Sequence, residues 1–501
     1  DYHYLKKEDA YAHEVLLCIQ TGKTINDPNR MRFSSDQFYF KTEQEMEQIF
    51  GEYPDALFNT QKIADMCDLT LDLHHPILPT FEVPEGYNLD TYLRHLVIEG
   101  AHKRYPDGIP QNVQERIDYE LKVVTNMGFP GYFLIVWDFI NYARSVGIPV
   151  GPGRGSAAGS MAAYCLGITQ LDPIKYNLLF ERFLNPDRKE MPDMDIDFCA
   201  LHREDVITYV KQKYGYDHVS QIMAYNTMQP KAAFKDVARV MEVPFAEANE
   251  ITKHITEDTL AKSLENSDDL KKFYRSSDSA RRLFDTAMKL EGLVRSFGRH
   301  AAGVVISKDA LTESVPLYRD SKDGSIAAQY DKVMVEAAGL VKMDFLGLVN
   351  LSIIDMCLKH IKATKGIDLN LETVPLDDEY TYKILQDADS LGIFQLESSG
   401  MQNLLRKLGP TCFDDIVALV ALYRPGPLGS GMVDQFIESK RHPENITYPH
   451  PALEPVLKDT LGVFIYQEQV MLISRVMGNF TMGESDKLRK AMSKKKLDQI
   501  A

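Results

Sequence analysis

The nine residues "MPDMDIDFC", Met191 to Cys199, constrain this chain more than any other stretch. Asp193, Asp195 and Asp197 alternate with Met194, Ile196 and Phe198. That period of two predicts a strand with three carboxylates on one face and an apolar ridge on the other. Same-face neighbours along a strand stand ~6–7 Å apart. At an effective dielectric of ~20, two charges at that spacing repel by roughly 2.5 kcal/mol. A strand backed by a packed apolar face does not carry this repulsion without a counter-charge.

Three readings compete for such a strand. A solvated edge strand is the plain one. A calcium loop fails because Phe198 stands where that loop needs Gly. The sharper reading is a divalent-metal site in which carboxylates hold a pair of Mg²⁺ ions and leave room for substrate phosphates. Such a site calls for another carboxylate from a neighbouring strand, and Asp344 in "LVKMDFLGL" is the candidate. It lies in an apolar run, where an unpaired charge is expensive, with Lys342 two residues earlier on the same face. A structural Lys–Asp pair, or Asp344 capping the helix that follows, would explain it equally. If Asp344 joins Asp195 and Asp197, two strands remote in sequence must lie side by side. The helical stretch between them is then an insertion within one sheet domain.

Between 148 and 160 the chain reads "IPVGPGRGSAAGS", a short strand leading into a Gly-rich turn and then the predicted helix "AAGSMAAYCLG". Backbone NH groups of such a turn, with the positive end of a helix, suit phosphate. No Gly-Lys-Ser/Thr follows, so this is no Walker A loop. The match to a dinucleotide fingerprint is loose and lacks the acid expected ~20 residues on. An ordinary tight turn accounts for the glycines alone. Arg154 in the loop, and the acid strand shortly after it, favour a triphosphate bridging loop and metals.

Composition sets the class. The 501 residues allow two to four domains, and 44% hydrophobic with 26% charged residues is ordinary for a globular protein. No apolar run reaches the ~18 residues that span a bilayer, so no membrane partner is expected. The chain begins at Asp1 without a leader pattern. Six cysteines occur with no C-x-x-C pair, which argues against a disulfide framework or a Cys zinc site and predicts a reducing, cytoplasmic setting. A net charge of −16 disfavours nucleic acid at face value, yet a local basic face still binds phosphate. "DKLRKAMSKKK" near the end is the strongest such patch, and a solvated helix face is its bland explanation.

Residues 1–75 read as helical, and the proline-rich "HHPILPTFEVPEG" at 74–86 then reads as a linker or domain edge. Helices are predicted at about 88–103 and 112–127, followed by "YFLIVWDFINYARSV", apolar around most of its circumference and therefore buried. Residues 227–300 form a helical module, with Phe234, Val237, Ala238 and Met241 on one face. Sheet-like sequence returns in "AAGVVIS" and "AAGLVKMDFLGL", and the remainder from 351 reads as mainly helical.

Taken in order, "VGPGRGSAAGS", "LLFERFLNP", "MPDMDIDFC", "GRHAAGVVI", "GLVKMDFLGL", "FQLESSGM", "ALYRPGPLGSGMV", "YQEQVM" and "LRKAMSKKK" closely resemble the alpha-subunit family of bacterial DNA polymerase III, the C-family replicative polymerases. The resemblance covers essentially the whole chain. It implies an α/β fold: a polymerase beta-like nucleotidyltransferase palm with an inserted helical thumb and mainly helical fingers. The implied division is a PHP-domain tail and linker at 1–75, palm at 76–226 and 301–350, thumb at 227–300, and partial fingers at 351–501. Asp195, Asp197 and Asp344 take the place of the catalytic metal-binding triad, with Asp193 the adjacent non-catalytic acid. Gly155 and Ser156 match the pair that holds the triphosphate. Arg154 would lie beside the phosphates, Lys342 near the primer end or the incoming phosphates, and Arg424, Arg489 and Lys490 match basic positions of the fingers facing the incoming nucleotide. Asp1 and His3 would be orphaned ligands of the PHP metal cluster, so no working PHP site is expected. His300 is expected to be a buried structural histidine. A chain truncated at both ends is expected, without the later clamp-binding part.

The function this implies is template-directed DNA synthesis. Two Mg²⁺ ions would serve attack of a primer 3′-hydroxyl on a deoxynucleoside triphosphate, with release of pyrophosphate. Expected partners are primer–template DNA, deoxynucleoside triphosphates, and the sliding clamp and proofreading exonuclease of the replisome. Weak or absent activity is expected of a shortened chain. Two rivals are a template-independent nucleotidyltransferase and a non-catalytic, metal-stabilised scaffold. Template dependence separates the first, and a large stability loss on Asp195→Asn marks the second.

Overall fold

The computed structural model describes residues 1–70, 73, 77–187 and 191–493. Lys494, Lys495 and Lys496 of the basic run, and part of the proline-rich linker, lie outside them. The architecture is mixed α/β and mainly helical. The described residues form six strands, β1 (Asp195–Cys199), β2 (Val219–Thr227), β3 (Val294–Ile306), β4 (Leu317–Arg319), β5 (Ile326–Ala328) and β6 (Val341–Leu348). The chain divides into two compact units. One comprises Asp1–His75, Gln221–His300 and Val315–Gly339, and the other Pro76–Ser220, Ala301–Ser314 and Leu340–Ala501.

The first unit is built on helices Pro230–Val240 and Asp278–Leu290. Phe234 and Val237 bury the predicted apolar face, and Leu283 and Phe284 of the second helix join the same core. Val15 and Cys18 of helix Ala10–Thr21 join the same core, so the start of the chain packs on the helical module. Lys289 pairs with Asp9 at 2.6 Å across that contact. Its strands follow the order β3-β2-β5-β4, with β2 and β5 parallel and β5 and β4 antiparallel. The sheet starts earlier than the sequence indicated. β3 opens at Val294, and His300 within it is half-buried rather than buried. Residues 315–339 lie in this unit as well.

The second unit carries the acidic strand, with strand order β1-β6-β3. β1 and β6 are parallel, with Asp195 opposite Asp344 and Ile196 opposite Phe345. β6 and the Ala301–Ile306 part of β3 are antiparallel, with Gly303 opposite Asp344. The apolar ridge behaves as its alternation predicts: Met194, Ile196 and Phe198 are all buried. Phe198 stacks on Phe345 at 5.5 Å, and Phe139 meets Phe345 at 4.7 Å. Phe139 belongs to helix Pro130–Ser145, which also buries Tyr132, Phe133, Leu134, Ile135 and Val136. Each such aromatic, fully buried, contributes about 1.5–3 kcal/mol relative to exposure. The strand is therefore fixed from behind, and its acids are left on the open side. A second apolar cluster, including Leu405, Leu419 and Phe436, holds helices between Glu379 and Arg441 together.

All six cysteines are free thiols. No single described helix is long and apolar enough to cross a membrane.

Candidate active site

Register brings the acids together. With Asp195 and Asp344 paired across parallel strands, ligand oxygens of Asp193, Asp195 and Asp344 all lie within 4.8 Å of one another. Asp197 is one step further along β1 and stands outside this cluster. The sequence expectation of Asp195 with Asp344 therefore appears directly in the geometry, whereas the third member of the cluster is Asp193. The three oxygens are a hard donor set that fits a divalent cation. Oδ1 of Asp344 adds to the fit, being buried without a hydrogen-bond partner among the described residues.

Cations of the chain meet these charges. Lys342, with its side chain 3% exposed, makes an ion pair with Asp344 and lies 4.0 Å from Asp193. Arg154 spans the other end: its Nε is 3.8 Å from Asp195 and its Nη1 3.4 Å from Asp197. Burial pushes the Asp195 carboxyl above the ordinary carboxylate range, Asp193 and Asp344 add to this, and Arg154 opposes it. Behind the acids, the buried Tyr132 hydroxyl accepts a hydrogen bond from the Met194 amide at 3.0 Å. This fixes the backbone between Asp193 and Asp195.

The Gly-rich turn lies against the same acids. The Gly151 amide donates to the Asp197 carbonyl at 2.8 Å, and any Cβ at 151 would stand 2.9 Å from that of Asp197. Gly155 adopts φ +66°, and its missing Cβ would stand 3.8 Å from Oδ2 of Asp195. An L residue with a side chain would be strained at that φ.

The helix predicted after this turn is not continuous. Gly155–Gly159 forms a 3-10 turn, Ser160 caps the next segment, and only Met161–Cys165 is α-helical. Its amino end is not open to a ligand. The fully buried Glu120 carboxylate accepts from Ser160 Oγ at 2.8 Å and from the Met161 and Ala162 amides at 2.9 and 3.0 Å. Arg116 balances that charge at 2.6 Å and donates to the Gly159 carbonyl at 2.9 Å. The protein's own anion thus fills the place where a helix end would have taken phosphate. What remains for a ligand is the turn itself.

A cavity of about 210 Å³ opens beside the turn, lined by Arg154, Gly155, Ser156, Arg182 and Glu468 among others. Cavities that take whole ligands run to about 300–1,000 Å³, so this one suits part of a ligand. Arg182, on the short helix Phe180–Phe183, pairs with Glu468 of helix Gln467–Gly478. Sequence reasoning missed both residues. "LLFERFLNP" and "YQEQVM" contain them, but nothing in either segment signals that they meet.

The basic residues of the last region are placed differently. Arg489 is 13% exposed, bound to Asp486 at 2.7 Å and to Gln467 at 3.0 Å. Lys490 is half-buried on the same helix, Met482–Ser493, which packs against Phe180–Phe183. Arg424 is exposed at the start of Pro425–Gly429 and makes no ion pair among the described residues. His3 and Asp1 pair with each other at 3.2 Å.

Comparison with known proteins gives a consistent result. Residues 91–347 match the model of the bacterial DNA polymerase III alpha NTPase domain, and residues 350–501 that of the bacterial DNA polymerase III alpha subunit finger domain. DNA polymerase III subunit alpha of Pseudomonas aeruginosa is 47% identical over 523 aligned residues, covering 100% of this chain and 45% of the relative. The subunits named alike in Borreliella burgdorferi and Aquifex aeolicus are each 47% identical over 100% of this chain, and 44% and 46% of their own lengths. The chain spans less than half the length of these curated relatives.

Proposed function

The chain belongs to the bacterial DNA polymerase III alpha family, and from that premise we propose that it carries the nucleotidyl-transfer site of a template-directed DNA polymerase. One observation carries the reading. The Gly155–Ser156 turn, its Arg154, and the Asp193–Asp195–Asp344 cluster face one another in one unit. Divalent cations held by those carboxylates, two Mg²⁺ in our reading, would draw charge from the reacting oxygens of primer and triphosphate.

The chain's own residues supply the remainder. Asp195, between the strand partner Asp344 and the loop cation Arg154, is the carboxylate that links metal and nucleotide sides. Lys342 and Arg154 neutralise these acids, and with a divalent cation held by the carboxylates both would be available to phosphate oxygens. The Gly155 backbone and the Ser156 hydroxyl line the cavity that takes the phosphate chain. Arg182 joins them as a further phosphate ligand. Arg424, Arg489 and Lys490 belong to the surroundings of the incoming nucleotide, with Arg489 held by Asp486 and Gln467. The primer 3′-hydroxyl attacks the α-phosphate in line, and pyrophosphate leaves along the cavity.

Residues 76–226 and 301–350 are proposed as palm, 227–300 as thumb and 351–501 as fingers of the polymerase beta-like arrangement. Primer–template DNA, deoxynucleoside triphosphates and the replisome in the cytoplasm are the proposed partners. A template-independent nucleotidyltransferase or a non-catalytic scaffold finds no support in the family match.

The test is single-nucleotide addition to a labelled primer–template with Mg²⁺, wild type against Asp195→Asn. Templated addition that disappears in the variant is expected. Addition that survives in Asp195→Asn removes this residue from the site.

A further inference from the structure

We infer that Glu468 is the resident anion of the phosphate cavity, a built-in competitor that an incoming triphosphate must displace from Arg182. The inference rests on the nucleotide reading of the cavity and adds to it how that cavity is regulated.

Arg182 and Glu468 are 286 positions apart, yet both line the cavity with Gly155 and Ser156. Their side chains are 27% and 14% exposed, so the pair sits at the cavity wall and not in the core. A guanidinium recognises a carboxylate and a phosphate through the same fork of donors. Glu468 occupies Nη1 of that fork, so a phosphate that takes Nη1 must displace it. The pattern matches the rest of the site, where Arg154 and Lys342 are also held by acids of the chain. Asp193, Asp195 and Asp344 would have a bound cation as an alternative partner. Glu468 is not in that cluster, so for it the exchange needs another stable position.

The structure supplies that position. Glu468 lies in the first turn of Gln467–Gly478, where the helix dipole favours a negative charge even without Arg182. The start of this helix is pinned by Gln469, whose Oε1 accepts from the Ile465 and Tyr466 amides at 2.8 and 2.9 Å. Its Nε2 donates to Thr460 Oγ1 at 2.7 Å. Release of Glu468 is thus a side-chain rotation on a fixed helix. Next to it, Gln467 accepts from Arg489, which places the exchange beside a second cation of the region.

The experiment is equilibrium binding of inorganic tripolyphosphate, and separately of dATP with Mg²⁺ in the absence of primer, to the whole chain. Glu468→Gln should bind both ligands roughly threefold to tenfold tighter than wild type. Glu468→Ala should do likewise, which guards against one variant that folds poorly, and thermal melts report the fold of each. Arg182→Gln should bind more weakly, and Glu468→Gln combined with Arg182→Gln should bind no better than Arg182→Gln alone. If neither Glu468 variant binds more tightly while Arg182→Gln binds less, the competitor role is overturned and the nucleotide reading stands. If Arg182→Gln also leaves binding unchanged, the cavity is not the phosphate site and both readings fall.

Discussion

Asp195 and Asp344 face each other across neighbouring parallel strands, with the acid at 193 completing the cluster and Lys342 supplying its nearest cation. Sequence alternation makes Asp193, Asp195 and Asp197 equivalent, and this pairing ends the equivalence. Asp193 falls on the Lys342 side of the pair and Asp197 on the Arg154 side.

A first prediction separates these two acids. Mn²⁺ titration of the purified chain should show Asp193→Asn losing affinity by roughly tenfold or more, as expected for removal of one of three charged ligands. Asp197→Asn should stay within about threefold of wild type, since it removes a partner of Arg154 only. The reverse order would place the metal between Asp195 and Asp197.

Asp195 itself gives a pH signature. Its carboxyl is raised by burial and by its acidic neighbours, so the fold penalises its charged form. That penalty is absent below the ordinary carboxylate value of about 3.9 and sets in as pH rises through the folded value. Without metal, Asp195→Asn should therefore melt at or above the wild-type temperature at pH 7, and the two curves should converge towards pH 4. A melting temperature well below wild type at pH 7 would favour a structural role for this aspartate.

The buried Glu120 predicts the opposite behaviour. Asp195→Asn relieves repulsion, whereas Glu120→Ala strands the Arg116 charge and removes the acceptor of Ser160, Met161 and Ala162. Breaking a buried pair on one side costs about 3–5 kcal/mol. Urea unfolding should show a loss of that order, with Glu120→Gln losing less because the amide oxygen still accepts. A change under about 0.5 kcal/mol would mean the turn does not depend on this anchor.

Lys342 supplies a fourth prediction. Lys342→Met leaves the Asp344 carboxylate without its cation in a nearly closed site. The metal-free chain should lose thermal stability, and saturating Mg²⁺ should recover more of it than Mg²⁺ adds to wild type. Equal Mg²⁺-induced shifts in both proteins would show that lysine and metal do not share the acids.

How far the sequence reached follows from the range of each interaction. The strand at 195–199 and its buried ridge were legible because alternation is local. The buried helix at 130–145 was legible because its apolar residues cover nearly the whole circumference. Asp344 was found because a charge in an apolar run demands a partner. Which of three equivalent acids joins it depends on lateral strand register, and no local pattern encodes that. The break after Gly155 was missed because "AAGSMAAYCLG" has helical composition, while a positive φ at Gly155 and the Ser160 cap interrupt it. β3 was dated too late because Val294 to Arg299 are exposed and carry no burial alternation. Glu120, Arg182 and Glu468 gave no signal at all. Each is an ordinary charged residue on a helix, and only the folded chain reveals its partner.

The register between β1 and β6 has one more consequence, which concerns counting. Successive side chains on a strand point to opposite sides, so the site depends on parity and not on distance along the chain. A folded module of any length inserted between the two strands leaves Asp195 and Asp344 face to face, provided both strands keep their phase. A single residue added inside β6, between Lys342 and Asp344, would send one of them into the Phe139–Phe198 packing. The chain is thus permissive about what it carries between the halves of its site, and strict about odd and even within them.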